Sequence, residues 1–390
     1  MDVTALDPRD PAFVADPYPV FDELRRAGRP LWHDGLGLWL AFRHADADAV
    51  LRHRRAGRVF ADREPLADFD VFNRLHRDSI LDSEPPQHTR LRRLVQGAFA
   101  RGHVERLRGP VQRIADALLD RVVDRGVCDL LADYAAPLPV GVIAELLGVP
   151  ESDRHLLRPW SNAMVKMYEY DRPPELEVAA RRACAEFDSY LRELAAERRR
   201  RPREDLVSHL AGVPDLSDDE LVANCVLLLN AGHEASVNVF GNGLWALLRH
   251  PAQLARLRAD LEGLLPPAME ELTRYDAPLQ LFERTAYDDI DIGGVTVRRG
   301  QKIAALIGSA NRDPSVFSDP GVLDVGRDPN PHLGFGAGIH FCLGAPLARL
   351  ELSISLPTLL RRLPGIELAA EPAYLPHFVI RGLQSLHVRW

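Results

Sequence analysis

The sequence has few cysteines, and none of them form a close pair. Four occur among the 390 residues and no Cys-x-x-Cys motif is present; they are Cys128, Cys184, Cys225 and Cys342. Disulfide frameworks and structural zinc sites usually need such closely spaced pairs. The sequence therefore indicates neither, and each cysteine has to be interpreted from its own surroundings.

Long apolar runs are also missing. No stretch reaches the roughly 20 apolar residues that a membrane-spanning helix requires. The acidic N-terminal segment, which contains Asp7, Asp10 and Asp16, lacks the basic start and the apolar stretch of a signal peptide. We therefore expect a cytoplasmic protein without a membrane partner.

The chain has no excess of positive charge, since its formal net charge is −8. Proteins that bind nucleic acid usually carry a basic domain or patch, so we expect no nucleic-acid partner. The one concentrated basic run, Arg198 to Arg201, ends a helical pattern just before Pro202. We interpret this run as a solvated helix C-terminus, where the helix dipole favours cations.

No internal repeat, low-complexity block or flexible linker marks a domain boundary. Apolar residues recur at helical spacing between about residues 89 and 265, and a further helix is predicted for 346–363. Short β-like segments are predicted near residue 31, at 38–42, 281–287, 290–297 and 302–307, and at the C-terminus. The pattern predicts a mainly α fold with a small β region, and we expect one large domain over residues 1–390.

The segment from Phe335 to Gly344 reads FGAGIHFCLG and precedes a predicted helix with Pro346 in its first turn. Its glycines allow the backbone to approach a flat group closely, and the helix N-terminus favours a thiolate at Cys342. Such a thiolate suits haem iron. The residues alone leave open a buried structural cysteine, and they make a nucleophile with His340 as its partner less attractive, because catalytic partners normally come from elsewhere in the fold.

FGAGIHFCLG resembles, position by position, the haem-binding signature of the cytochrome P-450 superfamily, in its soluble bacterial class. The resemblance implies a b-type haem with Cys342 as the axial ligand of the iron. Phe335, Gly336 and Gly344 then belong to the loop that carries this ligand. Further family motifs occur in the expected order along nearly the whole chain, including the central helix and the pocket described below.

The resemblance also implies the residues that bind the haem propionates and those that stabilise the loop. His88 and Arg92 lie four apart on one helical face, which suits binding of anionic groups, and Arg284 and His340 are similar to the remaining propionate partners. Glu271 and Arg274 match the family's ExxR pair, whose role is structural. We expect this pair to connect its helix to the irregular segment, rich in Pro, Asp, Gly and Asn, at residues 311–341.

The segment LLLNAGHEASVN, residues 227–238, resembles the helix that crosses the distal face of the haem. Gly232, unfavourable inside a helix, is expected to open a groove for dioxygen or to allow close helix packing. Glu234 is expected to deliver protons. The family usually has threonine next, but here Ala235 and then Ser236 follow, and successive helical residues point about 100° apart, so Ser236 does not replace the missing hydroxyl. We expect an ordered water or a substrate hydroxyl to stabilise the bound dioxygen instead.

The resemblance places a small-molecule pocket around the loop between residues 60 and 82 and around eight further positions. These are Leu227, Asn230, Ala231, Leu279, Gln280, Phe282, Val379 and Ile380. Most are apolar, as is usual for such pockets. Asn230 and Gln280 are candidates for polar contacts with a substrate, or for contacts with neighbouring protein groups.

No flavin or iron–sulfur motif is present, so we expect electrons from NAD(P)H to arrive through a ferredoxin reductase and a ferredoxin. A basic patch at Arg90, Arg93, Arg101 and Arg106 is a candidate docking surface. The resemblance implies monooxygenation of a small organic molecule with O2 as co-substrate, in bacterial secondary-metabolite biosynthesis. Alternatives are oxidative coupling, peroxide-driven oxidation and a non-enzymatic haem-based sensor.

Overall fold

The computed structural model describes residues 2–99, 101–170 and 172–390, and within these ranges it leaves out the side chains of Ala98 and Arg101. Helices dominate the N-terminal two thirds and enclose one long central helix. The α-helices are α1 (Pro11–Ala15), α2 (Tyr18–Arg25), α3 (His44–Arg52), α4 (Leu66–Arg77), α5 (Gln87–Val95), α6 (Arg101–Arg106), α7 (Arg108–Asp120), α8 (Pro137–Leu147), α9 (Arg154–Val165), α10 (Pro174–Arg200), α11 (Leu206–Ala211), α12 (Asp218–Arg249), α13 (Pro251–Ala259), α14 (Leu261–Tyr275), α15 (Ile307–Ala310) and α16 (Ala345–Arg362).

The strands are short and form a minor part of the described chain. They are β1 (Leu31–His33), β2 (Leu38–Ala41), β3 (Ala56–Gly57), β4 (Val127–Asp129), β5 (Phe282–Ala286), β6 (Ile290–Ile292), β7 (Val295–Val297), β8 (Lys302–Ala305), β9 (Glu367–Leu368) and β10 (His387–Arg389). The largest sheet has the order β1-β2-β8-β5-β3, with β2 and β8 parallel and the other neighbours antiparallel. The predicted mainly α fold with a small β region is confirmed.

Helix α12 is the centre of the core. A capping box fixes its start: the Ser217 hydroxyl accepts from the Glu220 amide and the Glu220 carboxylate accepts from the Ser217 amide, each at 3.1 Å. The helix then runs for 32 residues and packs against α4, α8, α9, α10 and α14. Its residues are apolar nearly all round, as expected for a helix buried on most sides.

The irregular segment between α15 and α16 is held by the Glu271–Arg274 ion pair on α14. Both side chains are 0% exposed and are joined by two hydrogen bonds of 2.7 Å. Arg274 also donates to the carbonyls of Asn311 and Pro320, each at 2.8 Å. The Glu271 carboxylate accepts from the Asp324 amide at 3.0 Å. One buried pair thus satisfies backbone groups along much of a segment that has little secondary structure of its own.

The basic run at the end of α10 differs from the prediction. Arg198 is buried rather than solvated; its Nε donates to Asp205 at 2.7 Å and its Nη2 donates to the Gly148 carbonyl at 2.6 Å. Because the chain folds back after Pro202, Asp205, the N-cap of α11, comes beside the arginine. The interpretation as a solvated helix end is therefore wrong for Arg198.

Among the described residues, no helix combines the length and the apolar composition needed to cross a lipid bilayer.

Candidate active site

The cysteine loop leads directly into α16. Gly336 and Gly338 have φ angles of +68° and +71°, which favour glycine, and the Cys342 amide donates to the Phe335 carbonyl at 2.9 Å. A Cβ at Gly338 would lie 2.6 Å from the Leu51 carbonyl oxygen, so the loop packs closely against the end of α3. These constraints fix the position of the sulfur just before the first turn of a helix.

The environment of Cys342 differs from that of the other cysteines. Cys128, Cys184 and Cys225 are buried, whereas Cys342 is partly exposed. Burial raises the pKa of Cys342 above its ordinary value, although the amides of Gly344 and Ala345 donate to the sulfur and lower it in part. The two amides at the helix terminus thus favour the thiolate, as expected, but burial outweighs their effect on the pKa. A directly bound metal cation, such as haem iron, would supply the missing stabilisation.

Three of the predicted propionate residues lie together beside the loop. The rings of His88 and His340 are 4.4 Å apart, and Arg92 donates to the Phe341 carbonyl at 2.7 Å. His88 is buried, and its Nε2 has no hydrogen-bond partner among the described residues. His340 Nε2 lies 2.9 Å from the Glu84 carboxylate, which sequence reasoning did not include.

Arg284 completes this basic group. It is buried with its guanidinium 4.6 Å from the centre of the Phe282 ring, and it donates a hydrogen bond to the adjacent Glu283 carbonyl at 3.0 Å. Burial and the neighbouring Arg58 lower the pKa of Arg284 to about 10, and burial lowers the pKa of His88 to about 4. A concentration of desolvated basic groups with few anionic partners suits an anionic ligand such as the propionates of haem.

The middle of α12 has an open face. Ala231 and Ala235 are exposed although Leu228, Leu229 and Val237 around them are buried. Positions four apart lie on the same side of a helix, so these alanines face a space that protein side chains do not fill. A flat cofactor bound at Cys342, the adjacent basic group and this face would fit together as a haem site.

Gly232 faces away from this space. A Cβ there would come within 2.8 Å of the Ile143 side chain on α8. The geometry therefore supports the close-packing interpretation of Gly232, and the groove for dioxygen, which is compatible with it, stays a prediction. Here glycine allows α8 and α12 to approach each other.

Glu234 is partly exposed on α12. Burial raises its pKa, and the charges of Lys166 and Arg158 oppose that rise only in part. The Nδ1 of the neighbouring His233 lies 3.4 Å from the Ser161 hydroxyl and 3.8 Å from the Glu234 carboxylate. A carboxyl group that is protonated more readily than usual thus borders the open face of the helix.

Ser236 does not face the open side of α12 either. Its hydroxyl hydrogen bonds the carboxyl group of Glu351 on α16, a residue that sequence reasoning missed. Glu351 is buried, and burial raises its pKa to about 8, with the Ser236 hydrogen bond opposing that rise. The signal available in the sequence was a lone acid in the apolar run LARLELSISL.

The raised pKa of Glu351 predicts a pH-dependent stability. The folded protein holds this proton up to about pH 8, whereas the unfolded chain releases it near the ordinary glutamate pKa of 4.5. The folded state therefore loses stability as the pH rises through that window. We expect Glu351→Gln, which is always neutral, to be more stable relative to wild type at about pH 8 than at about pH 5, by more than about 1 kcal/mol. Urea unfolding at both pH values measures the difference in free energy of unfolding between the variant and wild type. The exposed Glu262→Gln is the control. An equal difference at the two pH values would contradict the expectation.

A cavity lies beside α12, between α4, α9 and α10. It is lined by Phe72, Leu75, His76, Ser79, Asp82, Met164, Tyr168, Cys184, Ala223, Val226, Leu227 and Asn230. Of the individually predicted pocket residues, Leu227 and Asn230 line it. The segment between residues 60 and 82 was predicted to be a loop that forms a wall of the pocket. It lines this cavity with His76, Ser79 and Asp82, but the prediction of a loop is wrong for Leu66–Arg77, which form helix α4.

The other predicted wall residues do not line this cavity. Leu279 and Ile380 form an isolated β-bridge, and the Gln280 amide donates to the Val379 carbonyl at 3.0 Å. The Gln280 side chain is 0% exposed; its Nε2 donates to Ala277, and a Cβ at Gly308 would lie 2.1 Å from its Oε1. Its Nε2 therefore contacts a neighbouring protein group, whereas its Oε1 is buried without a hydrogen-bond partner among the described residues.

A carboxylate holds the C-terminal segment that contains Val379 and Ile380. Glu169 follows a short 3-10 turn after α9 and accepts from the amides of Phe378, Val379 and Ile380 at 3.1, 3.1 and 3.0 Å. The adjacent Tyr170 hydroxyl donates to Glu283 at 2.6 Å. The connection between α9 and α10 is thereby fastened to two segments that sequence reasoning placed at the pocket.

Replacing Glu169 with alanine should release these amides. Hydrogen bonds to a charged acceptor contribute about 1.5–3 kcal/mol each, so we expect amide exchange at residues 378–380 to accelerate at least about tenfold. Hydrogen–deuterium exchange with mass spectrometry measures this, with the surface variant Glu371→Ala as control. Unchanged exchange at these residues would show that the Glu169 carboxylate does not hold the segment.

One residue of the predicted basic patch is engaged in contacts within the protein. Arg90 forms an ion pair with Glu220 and donates to the Asp215 carbonyl at 2.7 Å, so it is engaged with the start of α12. Arg93 and Arg106 are exposed, whereas the side chain of Arg101 lies outside the described residues. The inclusion of Arg90 in a free docking patch is therefore wrong.

Comparison with known proteins identifies the family. The family model named Cytochrome P450 matches residues 155–364. The chain is 40% identical to cytochrome P450 monooxygenase PikC of Streptomyces venezuelae, with 97% of this chain and 92% of the relative covered. The chain belongs to the cytochrome P450 family. The prediction that the chain is a bacterial P450 is thus confirmed.

Other P450 proteins extend the comparison. The chain is 37% identical to 6-deoxyerythronolide B hydroxylase of Saccharopolyspora erythraea, and 99% of each chain is covered. The crystal structure of P450BioI in complex with an acyl carrier protein ligated to hexadec-9Z-enoic acid superposes with a TM-score of 0.94 at 36% identity, covering 97% of this chain and 100% of that one. The protein is a cytochrome P450 monooxygenase with relatives in bacterial secondary-metabolite biosynthesis. The family implies haem and dioxygen.

Proposed function

We propose that residues 1–390 act as one haem-thiolate domain that inserts one oxygen atom from O2 into a small organic molecule in bacterial natural-product biosynthesis. The single observation that carries the proposal is the position of Cys342, between a glycine loop and the start of α16 and beside the basic group of His88, Arg92, Arg284 and His340. When bound there, a b-type haem supplies the activation of dioxygen.

The residues of this chain then hold protons near the bound haem and leave a position for water or substrate. Glu234 borders the open face of α12 and, because burial raises its pKa, holds a proton at its carboxyl group more readily than a surface glutamate. Glu351 holds a second proton in the interior, and its carboxyl group is hydrogen-bonded to the Ser236 hydroxyl. Ala235 offers no hydroxyl to the same space, so a substrate hydroxyl or an ordered water takes that position.

Electrons from NAD(P)H reach the site through a ferredoxin reductase and a ferredoxin. Phe341 and Ile339, next to Cys342, are 41% and 48% exposed. Exposed Arg93 on α5 and Arg106 on α6 add positive charge to this part of the chain. Apolar side chains with nearby arginines suit docking of an acidic protein, in which charge guides the encounter.

Isotope labelling tests the proposed reaction. The holoprotein is supplied with a ferredoxin, its reductase, NADPH and ¹⁸O₂, with 6-deoxyerythronolide B as the probe compound. We expect a product that contains one ¹⁸O atom and forms only with the complete electron supply. An oxidised product without ¹⁸O would support oxidative coupling, and equal turnover with hydrogen peroxide alone would support peroxide-driven oxidation; either result contradicts the proposal.

A further inference from the structure

His76 is a polar side chain in a mostly apolar part of the cavity. Its ring lies parallel to Phe60, with ring centres 4.8 Å apart, and 4.4 Å from the ring of Phe72. Its Nδ1 is 2.7 Å from a carboxylate oxygen of Asp82. Two aromatic rings and one hydrogen bond therefore fix the orientation of the imidazole.

Asp82 determines which nitrogen of this ring carries the hydrogen. Its carboxylate also accepts from Arg58 Nη2 at 2.7 Å and from Nε at 3.0 Å. Burial alone would raise the pKa of Asp82, but the charge of Arg58 and the hydrogen bond from His76 outweigh it and hold this pKa well below its usual range. An ionised carboxylate only accepts, so Nδ1 of His76 donates, and Nε2 is an acceptor when the ring is neutral.

Neither this acceptor nor the amide of Asn230 is satisfied by the protein. His76 Nε2 has no hydrogen-bond partner among the described residues. The Asn230 Oδ1 is buried without a partner, and its Nδ2 makes only a 3.9 Å contact with the Met164 sulfur. Both residues line the same cavity. The Asn230 oxygen is enclosed, whereas the His76 side chain is 15% exposed. Unpaired polar groups that line one cavity are suited to a ligand that pairs them.

We propose that His76, held by Asp82, is a specificity-determining residue that accepts a hydrogen bond from a hydroxyl or amide N–H group of a neutral substrate. This inference rests on the proposed function. Arg58 balances the charge of Asp82, so the cluster favours a neutral donor over an ion. Asn230 precedes Ala235 by five residues, a rise of about 7.5 Å along α12, so the recognised group lies remote from the carbon that is oxidised. Asn230 provides a second polar contact to the same part of the substrate.

Matched probes test this with the holoprotein. Dodecan-1-ol and 1-methoxydodecane differ in the hydrogen-bond donor, and binding of each is followed by the change in haem spin state. We expect wild type to bind the alcohol about tenfold more tightly than the ether. In His76→Phe, which keeps an aromatic ring beside Phe60, the ratio falls to about one. Cys184→Ala, at another position in the same cavity, retains the preference for the alcohol.

A second variant separates recognition from shape. Asp82→Asn keeps His76 but removes the obligate acceptor that fixes Nδ1 as a donor, so the preference for the alcohol should fall there too. Equal binding of the two probes by wild type, a preference that persists in both variants, or no spin-state response to either probe overturns the inference. The carbon-monoxide spectrum of the reduced wild type reports separately on the proposed function: if its thiolate signature is intact, only the inference about His76 fails.

Discussion

Arg274→Leu is expected to lower the free energy of unfolding by about 3–5 kcal/mol, because it leaves the Glu271 carboxylate buried without its main partner. It also removes the donor to the carbonyls of Asn311 and Pro320, which lie in the segment that leads to the cysteine loop. We therefore expect weaker haem retention together with the loss of stability. Urea denaturation and the haem content of the purified protein measure the two effects.

A matched control is available in the same segment. Arg256 pairs with Asp324 at 2.7 Å, but both side chains are well exposed to solvent, and such pairs contribute at most about 1 kcal/mol. Arg256→Leu should therefore change stability little. If both leucine variants lose similar small amounts, the buried pair does not hold the segment. The double variant Glu271→Gln with Arg274→Leu should recover part of the loss, since no buried carboxylate is left without Arg274, although Arg327 then loses its own ion pair with Glu271.

Glu234→Gln is expected to reduce the product formed per NADPH consumed by about 100-fold, because general acid–base groups typically contribute that much or more. Glutamine keeps the size and polarity of the side chain but carries no transferable carboxyl proton. The reduced carbon-monoxide spectrum should stay unchanged, which separates proton delivery from haem binding. The exposed Glu262→Gln is the control, and full coupling in Glu234→Gln would show that protons reach the site by another route.

The parts of the site that were predictable from the sequence depend on local pattern. FGAGIHFCLG carries its own glycine geometry and lies directly before a helix, and the spacing of three between Glu271 and Arg274 places both side chains on one face of α14. Once the family resemblance is recognised, the order of the motifs along the chain also predicts that residues 60–82 form part of the pocket wall. Short-range geometry was sufficient in these cases.

The remaining features depend on partners that are distant in sequence. Ser236 contacts Glu351, which lies 115 positions further along the sequence. The Glu169 carboxylate accepts hydrogen bonds from amides about 210 positions away. Arg198 is buried because the chain folds back after Pro202. No periodicity in the sequence predicts such long-range contacts, since they depend on how whole helices pack together. The position of the Gln280 side chain was unpredictable for the same reason, because the space for its amide depends on the absence of a side chain at the distant Gly308.

The position of Cys342 is the central claim, and the carbon-monoxide spectrum of the reduced holoprotein tests it most directly. The wild type should show the long-wavelength Soret band of thiolate ligation, and Cys342→Ser should lose it, whereas Cys184→Ser should retain it. A wild-type spectrum without this band, or a Cys342→Ser spectrum identical to that of the wild type, would contradict ligation of the iron by Cys342.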